Sequence, residues 1–121
     1  MTQAGFRKLA LSLAGAEERS HMAHPDFRVG GKIFATMGYP KCGWAMIRLT
    51  PEDQAAFVGM KSGAFAPVKG KWGEQGCTNV ILAKATISSV RAALEAAHEL
   101  GARANRAGRR VPPSLQKRVA S

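Results

Sequence analysis

The sequence predicts one α+β domain, an antiparallel sheet packed by helices in the order α-β3-α-β2-α, on three observations. A glycine pair joins two apolar runs in "HPDFRVGGKIFATMG", which is the pattern of a tight antiparallel hairpin. "TPED" at Thr50 to Asp53 is a helix start. Ile87, Val90, Leu94, Ala97 and Gly101 keep the alternating three- and four-residue spacing of an amphipathic helix. Together, runs of strands separated by helices indicate an α+β layering with a single core, and 121 residues fit one domain.

The first helix is expected over Gln3 to Leu13, where Phe6, Leu9, Ala10 and Leu13 form an apolar stripe, and it should stop near Gly15. Glu17 to Ser20 reads as a polar turn. Extended segments follow near His21 to His24 and over Asp26 to Val29, and Lys32 to Gly38 continues after the Gly30-Gly31 turn. Pairing outward from that turn sets Val29 against Lys32 and Phe27 against Phe34. Phe27, Val29 and Phe34 then share the core face, with Arg28, Ile33 and Ala35 opposite.

After a loop through Tyr39-Pro40-Lys41, a third strand is predicted over Trp44 to Leu49, with Ala45, Ile47 and Leu49 alternating with Met46 and Arg48. Thr50 caps the second helix, Pro51 suits its first position, and Glu52 and Asp53 complement its dipole. This helix should end near Lys61. Short strands are expected around Phe65 to Val68 and over Cys77 to Ala83. The final helix, capped by Thr86, runs from Ile87 to Leu100.

Charge is the unusual quantity. Eighteen Lys and Arg against eight Asp and Glu give +10, which favours polyanions through long-range attraction. Residues 1–100 carry twelve bases and eight acids, while residues 101–121 carry six bases and no acid. The chain therefore divides into a domain over 1–101 and a basic tail over 102–121. The tail has few large apolar residues and contains Pro112 and Pro113, so disorder is expected beyond a first helical turn.

"MTQAGFRKLALSLAGA" imitates a signal peptide, but its apolar run, Leu9 to Ala16 broken by Ser12, is at the short limit and fits a helix stripe. A cytoplasmic protein is expected, with no membrane segment. Cys42 and Cys77 lie outside any CxxC spacing and read as structural thiols of a reducing compartment.

The stretches "LSLAGAEERSHMAHPDFRVGGKIFATMG", "LTPEDQAAF" and "KGKWGEQGCTNVILA", with the final helix, resemble the MmcQ/YjbR family of small bacterial proteins across residues 4–101. The resemblance implies a CyaY-like fold. It also implies DNA binding, through the family's own similarity to the double-wing domain of a phage transcription factor. It brings no catalytic residues and no cofactor, and the basic tail lies outside it.

Gly30-Gly31 joins two strands, whereas phosphate loops join a strand to a helix, so it is a turn whose tip presents Arg28 and Lys32 as a wing. In "KGKWGEQG", Lys69 and Lys71 with three glycines could meet phosphates while Trp72 stacks on a base. Alternatively, Trp72 folds back over the core edge. His21 and His24, three apart on an extended strand, should face opposite ways and share no metal. His24 is expected to make a structural hydrogen bond and His98 to lie at the surface. Cys42 beside Lys41 lacks an identifiable base, and the acids offer no catalytic pair, so no enzyme activity is expected.

The function expected is non-catalytic binding of nucleic acid, DNA first, by a monomer without metal or cofactor. Arg28, Lys32, Lys69, Lys71 and Trp72 act from the domain, with Arg106, Arg109 and Arg110 from the tail. If six to ten phosphates were neutralised, affinity would fall by roughly 10³ to 10⁵ between 50 and 200 mM salt. The rival is a protein- or peptide-binding adaptor using the sheet edge or an apolar groove.

Overall fold

A computed structural model describes residues 1–39 and 41–109, with side chains described through residue 104. Helix α1 (Gln3–Leu11) leads into four strands, β1 (Ala16–His21), β2 (His24–Val29), β3 (Lys32–Met37) and β4 (Trp44–Arg48). Helix α2 (Pro51–Val58), strand β5 (Phe65–Pro67), the single-turn helix α3 (Lys71–Glu74) and strand β6 (Cys77–Ile81) follow. A 3₁₀ turn at Leu82–Lys84 then precedes the long helix α4 (Ile87–Arg109). The α+β class holds. The order differs from expectation by a fourth strand ahead of α2 and by the turn of helix between β5 and β6.

All six strands form one antiparallel sheet in the order β1-β2-β3-β4-β6-β5. Its core face holds Phe27, Val29, Phe34, Ile47, Val80 and Leu49, packed against Phe6 and Ala10 of α1, Phe57 of α2, and Val90, Ala93, Leu94 and Ala97 of α4. The signal-like stretch is thus a core helix, capped by Thr2, whose hydroxyl accepts from the Gly5 amide at 3.0 Å. Thr50 caps α2 as expected, accepting from the Asp53 amide at 3.1 Å, and Thr86 caps α4 through the Ser89 amide at 3.1 Å.

Glu17 to Ser20, expected as a turn, belongs to β1. This strand is exposed along nearly its whole length, so its order comes from the ladder to β2 and not from burial. β1 forms one sheet edge and carries Glu17, Glu18 and Arg19. β5 forms the other, with three residues ending in Pro67. Charge on one edge and brevity with proline on the other protect both against further strand pairing.

The Gly30-Gly31 turn has φ of 58° and 82°, the mirror-image hairpin geometry, and Val29 faces Lys32. Beyond Ile33 the expected register fails. Arg28 faces Ile33 but Phe27 faces Ala35, because Phe34 is the extra residue of a β-bulge. Phe34 and Ala35 consequently both lie in the core, and Thr36 turns to the opposite face with Ile33.

α4 does not stop at Gly101. The helix passes through it to Arg109 because Gly101 forms a notch for the β2–β3 hairpin: a Cβ there would stand 3.0 Å from Val29 Cγ1. Ala102 packs against the core as well. Arg106 and Arg109 fall on the backbone of this helix, and Arg110, Pro112 and Pro113 lie outside the described residues, as does Pro40.

Candidate functional site

With α1, α2 and α4 on one face, the other face of the sheet has no covering helix except α3 at its rim, among the described residues. A trough of about 530 Å³ lies there, within the size range of ligand sites. Its floor comes from Ile33, Thr36, Met46 and Cys77, and Arg48 lines the same end as Trp72. His21, Met22, His24 and Tyr39 close the other end.

That end is built by the β1–β2 hairpin, whose turn consists of Met22 and Ala23 at φ of 49° and 67°. The chain reverses between the histidines, so His21 faces His24 across the ladder and both line the trough. This overturns their expected opposition. His24 packs its ring edge-on to Tyr39, with centroids 5.5 Å apart, in place of the expected hydrogen bond. His21 is oriented by Asp26, a wholly buried carboxylate 2.7 Å from its Nδ1.

The same carboxylate takes two hydrogen bonds from Arg28, Nε at 2.8 Å and Nη2 at 3.1 Å. The Arg28 guanidinium, with burial opposing and His21 assisting, holds the Asp26 carboxyl below its usual range. Arg28, expected as a wing cation, is therefore engaged in an internal ion pair. Lys32 is exposed and lines, with Arg48 and Gly101, a small cavity beside α4.

Lys69, Lys71 and Trp72 are all exposed, and Trp72 lines the trough. Trp72 is 64% exposed and does not fold back over the core. The reason is the packing beneath it. Gly73 is buried so tightly that a Cβ would lie 1.6 Å from the Val68 carbonyl oxygen. At Gly76, a Cβ would lie 1.8 Å from the carbonyl oxygen of Leu49. Gln54, buried on α2, donates to the carbonyls of Gly73 and Cys77, each at 2.9 Å. These glycines therefore serve close internal contacts and not a phosphate cradle, and the contacts fix α3 with its indole outward.

Tyr39, 51% exposed, and Met22, 87% exposed, are the other uncovered apolar groups of the rim. Thr36 is the opposite: only 3% exposed, with a hydroxyl that has no hydrogen-bond partner. Sequence reasoning passed over Thr36, Tyr39, Met46 and Arg48. The available signals were a lone hydroxyl inside the run "IFATM" and the single tyrosine of the chain.

The remaining candidates lie elsewhere. Cys42 is exposed, with the Gln3 amide 4.0 Å from its sulfur. Cys77 is buried, and burial pushes its thiol up while Arg48 draws it down. His98 is half-buried and not a surface group: it packs edge-on to Phe34 and lies 2.6 Å from the Ala14 carbonyl, to which Nε2 donates. No group of three or more His, Cys, Asp or Glu among the described residues is placed to hold a metal ion. No described helix is long and apolar enough to cross a membrane.

No curated protein matches the chain. The YjbR family matches it over residues 11–100, from the end of α1 through the packed portion of α4. That match takes in the whole sheet and every residue of the trough, and the chain belongs to the YjbR family.

Proposed function

We propose that this YjbR-family chain is a non-catalytic nucleic-acid-binding protein that takes its ligand on the uncovered face of the sheet. The observation that carries this is the trough itself, lined by the exposed rings of Trp72 and Tyr39 and by Arg48, with the exposed Lys69 and Lys71 next in sequence to its lining residues Val68 and Trp72. The cations position phosphates, and the rings stack on bases, each stack being worth roughly 1–3 kcal/mol. Arg106, Arg109 and Arg110 add charge from the C-terminal region, and the excess of +10 draws the polyanion in. Specificity is low, because no polar helix is offered to a groove. Such a role places the protein in the bacterial cytoplasm, with DNA as the first ligand to test.

A second reading, a peptide-binding adaptor, is favoured by the apolar trough lining, Ile33, Met46 and exposed Met22. The protected sheet edges leave the trough as its docking surface.

Fluorescence anisotropy of a labelled oligonucleotide, titrated with the full chain, separates the two. Nucleic-acid binding should weaken steeply between roughly 50 and 200 mM salt. Trp72→Ala should cost about tenfold in affinity. The triple variant Arg106→Gln, Arg109→Gln, Arg110→Gln isolates the C-terminal charges without removing Gly101 and Ala102 from the core, which truncation after Leu100 would do. Absence of binding at low salt refutes the proposal and leaves the adaptor.

A further inference from the structure

We infer that the trough is a receptor for an unpaired base, so that the preferred ligand is a single strand and not a duplex. This rests on the nucleic-acid reading above and adds the form of the ligand.

The inference starts from Thr36. A buried hydroxyl without a partner is costly, and nearly all such groups in folded proteins are satisfied. Here the hydroxyl is on the floor of an open trough, and a bulge put it there. With Phe34 in regular pairing and no bulge, strict alternation from Ile33 would turn Thr36 into the core. At the trough's end, the Asp26 carboxylate accepts from His21 Nδ1, which leaves the Nε2 edge of the ring to a ligand. The trough therefore combines apolar walls with the unpartnered Thr36 hydroxyl and an imidazole edge, as a site for a flat heterocycle with donors and acceptors on its edge would.

The distances select a strand and exclude a paired helix. From Ile33 to Met37 the trough follows β3 for roughly 13 Å at ~3.3 Å per residue. At a spacing of ~3.4 Å, about four stacked nucleotides cover this length. Trp72 and Tyr39, which line the trough, then meet bases. In a duplex the hydrogen-bonding edges are turned toward their partners and the stacked faces are enclosed, so neither the rings nor a hydroxyl 3% exposed can reach them. An unpaired base presents both. A hydroxyl donates or accepts, so more than one base is tolerated.

The test is anisotropy with a labelled single strand of about 12 nucleotides and with its own duplex, against the full chain and the variants Thr36→Val and Thr36→Ser. The single strand should bind at least about tenfold more tightly than the duplex. Thr36→Val should weaken the single strand about fivefold and leave duplex binding unchanged, while Thr36→Ser retains the wild-type affinity. Thr36→Val should melt no lower than wild type, since it removes only an unpartnered hydroxyl, so loss of binding cannot be ascribed to unfolding. Equal or tighter duplex binding overturns the inference and leaves nucleic-acid binding standing, as does a single-strand affinity indifferent to Thr36→Val. Failure of both forms to bind at low salt overturns the nucleic-acid reading and this inference with it.

Discussion

Substituting alanine for Gly76 should be among the most damaging single-methyl additions in the molecule, and Gly31→Ala is its internal control. Both residues have positive φ, 112° at Gly76 and 82° at Gly31. At Gly31 a Cβ meets nothing within 4 Å, so the cost is the left-handed strain alone, roughly 1–2 kcal/mol. At Gly76 the Cβ would stand 1.8 Å from the Leu49 carbonyl oxygen, 2.7 Å from its carbon and 3.1 Å from the Thr50 carbon. Ordinary contact begins at 3.4 Å, so the backbone between β4 and α2 must retreat by more than an ångström. Retreat breaks the hydrogen bond from the Leu49 amide to the Gly76 carbonyl, 3.1 Å long, and disturbs Leu49 in the core. It also pulls on the Gln54 bonds that hold Gly73. Strain, lost bonds at about 1 kcal/mol each and disrupted packing total at least about 4 kcal/mol. A kilocalorie shifts the melting temperature of a chain of 121 residues by about 4 °C. Far-UV circular dichroism should therefore show Gly31→Ala melting about 4–8 °C below wild type and Gly76→Ala at least about 16 °C below, or unfolded. If the two variants melt together, Gly76 is an ordinary turn glycine and the account of how α3 holds Trp72 outward is wrong.

Two further predictions concern the β1–β2 end. Asp26 has a depressed folded pKa, so its contribution to stability is fully present above the unfolded value of ~3.9 and is lost as pH falls through the lower folded value. Asp26→Asn should lower the urea midpoint at neutral pH and flatten the acid limb of stability against pH; an unchanged limb would mean that other carboxylates dominate it. Ala23 holds φ of 67° without being glycine, so Ala23→Gly should raise stability by about 1 kcal/mol in urea denaturation, and a loss would show that the Met22-Ala23 turn is not strained.

Much of the fold was legible because strong local chemistry agreed with the tertiary outcome. Thr50-Pro51 began α2 and Gly30-Gly31 made the hairpin. What failed did so for identifiable reasons. "AEERSH" shows no apolar alternation because an edge strand exposed on both faces needs none, and its partner strand orders it. The final helix was expected to end at Leu100 but continues through Gly101, where a side chain would strike Val29. The bulge at Phe34 had no local signature: two apolar residues in succession are consistent with either face until the neighbouring strand fixes the pairing.

The candidate site was half legible, and the half that was read depends on residue type while the half that was missed depends on which way a residue faces. Lys69, Lys71 and Trp72 were found by chemistry alone, whereas Arg28 was found by charge and lost to Asp26, a partner two residues away on the same strand. One signal in β4 went unused. An antiparallel strand that faces water on one side should alternate apolar and polar residues. In "WAMIRL" the core residues Ala45, Ile47 and Leu49 alternate with Trp44, Met46 and Arg48, so the water-facing side is itself largely apolar. Ile33 and Cys77 continue that apolar surface onto the neighbouring strands. Exposed apolar area costs about 25 cal/mol per Å² relative to burial, and a helix could have covered it. In this chain α1, α2 and α4 all pack on the other side. An uncovered apolar sheet face with an unpartnered hydroxyl in its floor is the observation on which the proposed binding role rests.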